Sequence, residues 1–459
     1  MLIRRAAVSL AALLVAAGLA AAPGATAARA AEPFFPRAGN VGYDALDYDV
    51  ALSYGAGAGV IHARTVVSAR ARQRLRRFTL DLRGLTVDSV WVDGERARFR
   101  RGRDKLRIVP AVPVPRGARF QARIGYHGRP RRVVDADGSS EGWIRTGDGA
   151  FAVGEPQGTM AWIPCDNVPA DKATFTIRAN VPRRLKAVAN GLLVGRQRHG
   201  ARRSYVWREE APMSTYLAVL DIGRGRLAAG RVDGLPAWTL VDPRQARAAA
   251  PVLAKLARVI RFERHAFGPY PFTAAGSIVD LEPKLGYALE TQTRPIYAFV
   301  PDLTTLVHET AHQWFGDSVG LKRWPNIWLN EGFATWTEWY YAERHGGRTA
   351  RQIFRRLYRV PASNTAFWEP PSGHPGQAKN LFATSTYVRG GMTLEALRVR
   401  IGTGPFLRLL RAWTAAHRHG SADIAEFIAL AEKVSGRDLG RLFHRWLFAR
   451  GKPRGYGSI

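Results

Sequence analysis

His308-Glu309-Thr310-Ala311-His312-Gln313-Trp314-Phe315, followed by Asn330-Glu331-Gly332-Phe333-Ala334, is the stretch that governs the reading of the whole chain. On a helix, two histidines four apart differ by about 40° in azimuth, so both imidazoles leave one face and can meet one ion. Leu303, Leu306, Val307, Trp314 and Phe315 make a helix over 303–315 apolar enough to be buried. Two nitrogens at that spacing suit zinc. Glu309 lies between them in sequence, placed to take a proton from an attacking water. With 11 His in the chain, this pattern arises by chance in roughly one such sequence in a hundred, so the next acid carries weight. Glu331, nineteen residues beyond His312, opens a second predicted helix over 330–345. It supplies a third protein ligand and leaves a fourth position open, the arrangement of a catalytic rather than a structural zinc. The simpler reading of Glu331 is a helix-start acid favoured by the dipole. Glu338, seven residues on and on the same helix face, is placed to accept a hydrogen bond from a ligand His; a solvated helix acid is its alternative.

The surroundings set the fold class, α+β and multidomain. From Tyr48 to about Ile222 the pattern is short and alternating, as in 48–54, 78–82, 87–92, 106–109, 120–126 and 173–181, with a hairpin signal at Asp93-Gly94. That is an all-β sandwich. Gly55-Ala56-Gly57-Ala58-Gly59 has the wrong spacing for a dinucleotide loop and reads as a strand-to-strand connection. Beyond about residue 225 helices dominate: 251–265, 303–315, 330–345, a segment after Tyr387, 405–417, 424–434 and 439–447. Asp423 with Glu426 makes a capping box, and Gly436 closes that helix.

Arg4 and Arg5 precede an apolar, Ala-rich run to Ala22, and small-residue cleavage sites follow at 25–27 and 28–30. Residues 1–31 therefore read as a signal peptide, 32–225 as the β domain and 226–459 as the helical domain, in a secreted, extracellular protein. No later apolar run of about 18 residues suggests a transmembrane segment after cleavage. The lone Cys165 cannot form an internal disulfide and reads as structural. The formal charge is +31, and removing Arg4, Arg5 and Arg29 leaves +28. Because the arginines are scattered through predicted elements, specific nucleic-acid binding is not expected; nonspecific adhesion to anionic envelope polymers is.

The sequence from His308 to Asp317, with Asn330-Glu331-Gly332-Phe333-Ala334, resembles the aminopeptidase N and leukotriene hydrolase family of gluzincin metallopeptidases. Trp162-Ile163-Pro164-Cys165-Asp166-Asn167-Val168-Pro169, with Lys172 and Phe175, is similar to that family's N-terminal domain near its junction with the active site. The resemblance implies a saddle-like β domain packed on a thermolysin-like, mainly helical zinc peptidase domain. The family's Gly-Ala-Met-Glu-Asn segment corresponds to Gly286-Tyr287-Ala288-Leu289-Glu290-Thr291. By the resemblance, Glu290 holds the substrate's α-ammonium and the backbone at Ala288 and Leu289 lies along the substrate. Glu155 falls where the family places a second group for the same amine. Read without the family, each Glu is most simply a surface acid. Tyr387, in Tyr387-Val388-Arg389-Gly390, matches the tyrosine that hydrogen-bonds the oxyanion, with Arg389 in place of Lys.

The expectation is a one-zinc aminopeptidase acting on peptides with a free N-terminus. Many relatives carry a long helical C-terminal domain, whereas here 128 residues follow Glu331; an open-cleft zinc endopeptidase is the alternative within the class. A non-catalytic polyanion-binding protein with structural zinc is the alternative outside it.

Overall fold

Alternation of apolar and polar residues buries one face of the long strand Tyr43–Gly55, where Tyr43, Ala45, Tyr48, Val50, Leu52 and Tyr54 point inward. A bulge between Ala45 and Asp47 keeps the pattern in phase. This strand sits at the middle of an eight-stranded sheet, ordered Leu192–His199, Arg202–Ser214, Lys172–Pro182, Tyr43–Gly55, Val60–Ala71, Arg119–Gly128, Thr86–Val92 and Glu95–Arg96. It pairs parallel with Lys172–Pro182, and Tyr48 stacks on Phe175 across that pair at 4.8 Å. The glycine-rich stretch joins two antiparallel strands, Tyr43–Gly55 and Val60–Ala71, as expected. The computed structural model describes residues 31–57 and 59–456. The signal peptide expected over 1–31 lies, apart from Ala31, outside the described residues.

Two smaller sheets complete the first half. One orders Lys186–Ala189, Leu220–Gly223, Ala150–Val153, Ser140–Arg145 and Arg132–Val134; the other orders Phe78–Asp81, Lys105–Val109 and Arg98–Arg101. A further five-stranded sheet, Arg226–Val232, Leu235–Val241, Ala275–Val279, Ile296–Tyr297 and Ala288–Leu289, opens the second half. Its last strand, two residues long, is an edge.

Among the described residues there are ten α-helices, in chain order α1 (Ala246–Leu253), α2 (Leu256–Phe267), α3 (Leu303–Ala311), α4 (Trp328–Arg344), α5 (Ala350–Tyr358), α6 (Thr365–Trp368), α7 (Thr384–Ile401), α8 (Thr403–Ala416), α9 (Ile424–Ser435) and α10 (Gly440–Phe443). A sheet-rich first half followed by a helical second half is the architecture expected from the sequence pattern, and residues from Ala31 onward form one compact unit. None of the helices among the described residues is long and apolar enough to cross a membrane.

Several boundaries differ from expectation. The helix expected at 251–265 is two helices, with Pro251 inside α1 and the break at Ala254–Lys255. The segment expected after Tyr387 begins at Thr384, so Tyr387 stands in the first turn of α7. α3 ends its regular winding at Ala311, and His312 is its still-helical C-cap. The Asp423–Glu426 capping box and the left-handed Gly436 at the two ends of α9 are as read from sequence.

Four aspartates, Asp148, Asp221, Asp242 and Asp280, line a pocket of about 10 Å³ where the 132–223 sheet meets the 226–297 sheet. Asp221 Oδ1 and Asp280 Oδ2 are buried without a hydrogen-bond partner. Burial, then the charges of Asp148 and Asp242, push the Asp280 carboxyl up to about 7. The folded chain thus holds a proton that the unfolded chain releases earlier. Its stabilising effect is complete below about pH 4 and is lost as pH rises through 7. Asp280→Asn keeps the shape without the charge. It is expected to raise Tm at pH 8 by about 1–3 °C and to leave it unchanged at pH 4; a melting curve with no gain at pH 8 would count against this assignment.

Candidate metal centre

Asp302 starts α3 by accepting a hydrogen bond from Thr305 N at 2.7 Å. One and a half turns later the helix presents His308, Glu309 and His312, while Glu331 comes from the first turn of α4. His308 Nε2 lies 3.3 Å and His312 Nε2 3.5 Å from the same oxygen, Glu331 Oε2. The far ring nitrogens are held from behind. Glu338 Oε1 takes His308 Nδ1 at 2.6 Å, and the Phe315 carbonyl takes His312 Nδ1 at 3.0 Å. These partners fix ring orientation and leave both Nε2 atoms free to face inward. The three ligand atoms lie within 4.8 Å of one another.

The electrostatics fit a cation at this point. Burial works to raise the Glu331 carboxyl, but His312 and His308 override it and hold it at about 2. Burial works to lower His312, yet Glu331 and Glu290 carry it up to about 9. Two imidazole nitrogens and one carboxylate oxygen, buried and oriented from behind, are a donor set that suits zinc with one position left open.

Three more carboxylates approach the same centre. Glu309, on α3, is pushed up to about 7, chiefly by burial, with His308 opposing. It groups with Glu290 and His312, and Glu290 in turn groups with Glu155 and Glu331. Burial raises both Glu290 and Glu155, and each keeps one buried oxygen, Oε1, with no hydrogen-bond partner. Unpartnered carboxylate oxygens facing one another are costly unless a donor arrives. A ligand ammonium has the required charge and protons.

The segment before Glu290 is the edge strand Ala288–Leu289, antiparallel to Ile296–Tyr297. Gln313 fastens it to α3, donating to the Glu290 carbonyl at 3.2 Å and accepting from Thr293 N at 2.7 Å. Glu155 stands in a loop shaped by Glu141, a buried carboxylate that accepts from Gly158 N at 2.8 Å and Gln157 N at 3.0 Å. Sequence reading missed Glu141, whose partners are distant in the chain and leave no periodic signal.

Tyr387 is half-buried with its ring 6.1 Å from that of His308, at 27° between planes. Burial and the charges of Glu331 and Glu155 hold its phenol well above the usual range, so it remains a donor. Its placement follows from a backbone contact between α4 and α7. A Cβ on Gly390 would stand 2.9 Å from Gly332 Cα, and one on Gly332 would stand 2.9 Å from the Gly390 carbonyl carbon. Arg389, next in the motif, points away from the centre. It is fully buried and donates to the carbonyls of Trp368, Arg445, Trp446, Ala449 and Gly451. A planar fork with five protons reaches all of them, which a lysine could not. The expected site residues thus come together here, and Lys172 ties the first half to the loop after α3, through the carbonyls of Asp317 at 2.6 Å and Ser318 at 2.9 Å.

Comparison with known proteins fits this geometry. The Peptidase family M1 domain matches residues 299–446, and the Peptidase M1 N-terminal domain matches 141–217. Aminopeptidase M1-A of Oryza sativa subsp. japonica is 25% identical over 381 residues, which is 76% of this chain and 42% of that protein. Tricorn protease-interacting factor F2 of Thermoplasma acidophilum is 24% identical over 402 residues, 82% of this chain and 49% of that one. The chain thus spans half or less of the length of these curated relatives. The M1 zinc metallopeptidase of Deinococcus radiodurans is similar in structure with a TM-score of 0.85 and 27% identity, covering 93% of this chain and 99% of that chain. A mutant of that enzyme bound to a Tyr-Ser-Ala substrate matches with a TM-score of 0.84 and 26% identity over 92% of this chain and 99% of that one.

The glycine contact offers a direct check on what places Tyr387. Gly390→Ala is expected to destabilise the fold by about 1–3 kcal/mol in denaturant unfolding, because backbone rather than a flexible side chain must move. A variant as stable as the parent would show that the two helices are not held by this contact.

Proposed function

The chain belongs to peptidase family M1, and from that premise we propose that it is a zinc aminopeptidase, removing N-terminal residues from peptides. The observation that carries the reading is the pair of carboxylates, Glu155 and Glu290, each with one buried oxygen lacking a hydrogen-bond partner, beside a three-ligand centre. His308, His312 and Glu331 would hold the ion. Zinc, when bound, supplies Lewis-acid polarisation of the scissile carbonyl and acidifies the attacking water.

The chain's own groups do the rest. Glu155 and Glu290 receive the substrate's α-ammonium, which places the bond after the first residue over the centre. A blocked N-terminus would leave both carboxylates unpaired, and that penalty is the source of exopeptidase specificity. The open edge at Ala288–Leu289 offers backbone groups to an extended peptide. Glu309 accepts the proton of the attacking water and returns it to the departing amine. Tyr387 donates its phenolic proton in a hydrogen bond to the developing oxyanion. Glu338 holds His308 in place throughout. We also place the enzyme outside the cell, a reading supported by the N-terminal sequence alone; N-terminal sequencing of material from culture supernatant should begin near Ala31.

Two experiments test the activity. Glu309→Gln should retain one zinc per chain by elemental analysis while hydrolysis of aminoacyl fluorogenic substrates falls by at least about a hundredfold; undiminished turnover would remove Glu309 from the mechanism. A free peptide and its N-acetylated twin should differ by about a hundredfold or more in kcat/KM. Equal cleavage of the two would make the enzyme an endopeptidase.

A further inference from the structure

The arginines of the first half are not evenly spread once folded. In the three-stranded sheet Phe78–Asp81, Lys105–Val109 and Arg98–Arg101, the residues Phe78, Leu80, Leu106 and Ile108 bury one face. Register sets Arg100 opposite Arg107, and Arg107 opposite Thr79, on the other face. Arg98 lies two residues along on the same side. With Arg77 and Arg96 they line a groove of about 1030 Å³. All five are exposed. The neighbouring cations Arg83 and Lys105 are paired, with Asp104 and Asp81. Among the described residues, none of the five groove arginines has an acidic partner. The groove lies outside residues 141–217 and 299–446, the segments shared with the peptidase family.

Five like charges along one groove repel one another, and a polyanion relieves that repulsion while releasing its own counterions. Same-face residues on one strand are spaced by about 6.7 Å, and paired residues across strands by about 5 Å, so the guanidinium groups form a ladder suited to charges that repeat along a linear chain. Guanidinium forks match phosphate oxygens two at a time. The groove's two rings do not form a stacking platform, because Phe78 is buried and Phe99 faces the core opposite Ile108. Bases would therefore go unread, and the backbone alone would be recognised. We propose that this groove binds a linear phosphodiester polymer through its backbone charge, independently of the zinc centre.

The test uses the full chain and labelled poly(glycerol phosphate) at 0.15 M salt. Arg98→Ser/Arg100→Ser/Arg107→Ser should weaken binding by at least about tenfold and flatten the salt dependence by about two log units per log unit. A control with the same charge removed from exposed sites in the second half, Arg348→Ser/Arg351→Ser/Arg359→Ser, should change affinity by less than about twofold, and both variants should keep parental hydrolysis and Tm. The single change Arg100→Lys keeps the charge and loses the fork, and should fall between parent and triple variant. No binding by the parent, equal loss in groove and control variants, or tighter binding of heparin than of the phosphodiester chain would each overturn the proposal.

Discussion

Four carboxylates, Glu155, Glu290, Glu309 and Glu331, cannot share one buried pocket without positive charge among them. Desolvation penalises each, and each penalises the next. His308 and His312 supply part of the compensation, which is why Glu331 ionises readily while Glu155, Glu290 and Glu309 are pushed upward. A cation held by His308, His312 and Glu331 would offset part of that repulsion, and the unpartnered oxygens of Glu155 and Glu290 leave room for a further positive donor. Much of the surrounding structure holds this arrangement in place: Glu338 and the Phe315 carbonyl stand behind the imidazoles, Gln313 behind the Glu290 backbone, and Glu141 fixes the loop that follows Glu155 while adding to the repulsion on it.

What was legible in the sequence follows from how far each signal reaches along the chain. His308 and His312 are one helical turn apart, as are Asp423 and Glu426 of the capping box that starts α9, so local periodicity suffices to place them. Glu331 and Glu338 lie two turns apart on α4, and the expected hydrogen bond to His308 is present. Glu290, Glu155 and Tyr387 carry no such period; only resemblance drew them together, and the fold brings them to the same centre. The residues before Tyr387 carry no clear apolar period, so the start of α7 at Thr384 is not legible in the sequence, and Gly390 meets Gly332 from inside that helix. Arg389 in place of Lys keeps the charge and changes the geometry, and it is the geometry of the fork that reaches five carbonyls.

Charge shows the same division between composition and register. The total is visible in any count of residues, and scattered arginines were a fair reading of their order. Whether two arginines share a face depends on which strand pairs with which. Arg100 and Arg107 meet because a short turn folds Arg98–Arg101 back on Lys105–Val109, and Phe78–Asp81 then closes the sheet from more than twenty residues away.

Arg389 also binds two distant pieces of the chain into one dynamic unit. Its guanidinium ends the carbonyl groups of the stretch from Arg445 to Gly451, while its backbone belongs to the helix that carries Tyr387. Opening either piece leaves a buried cation without its acceptors, which penalises separating the two. Tyr387 is thereby carried on a helix braced by a segment sixty residues further along the chain.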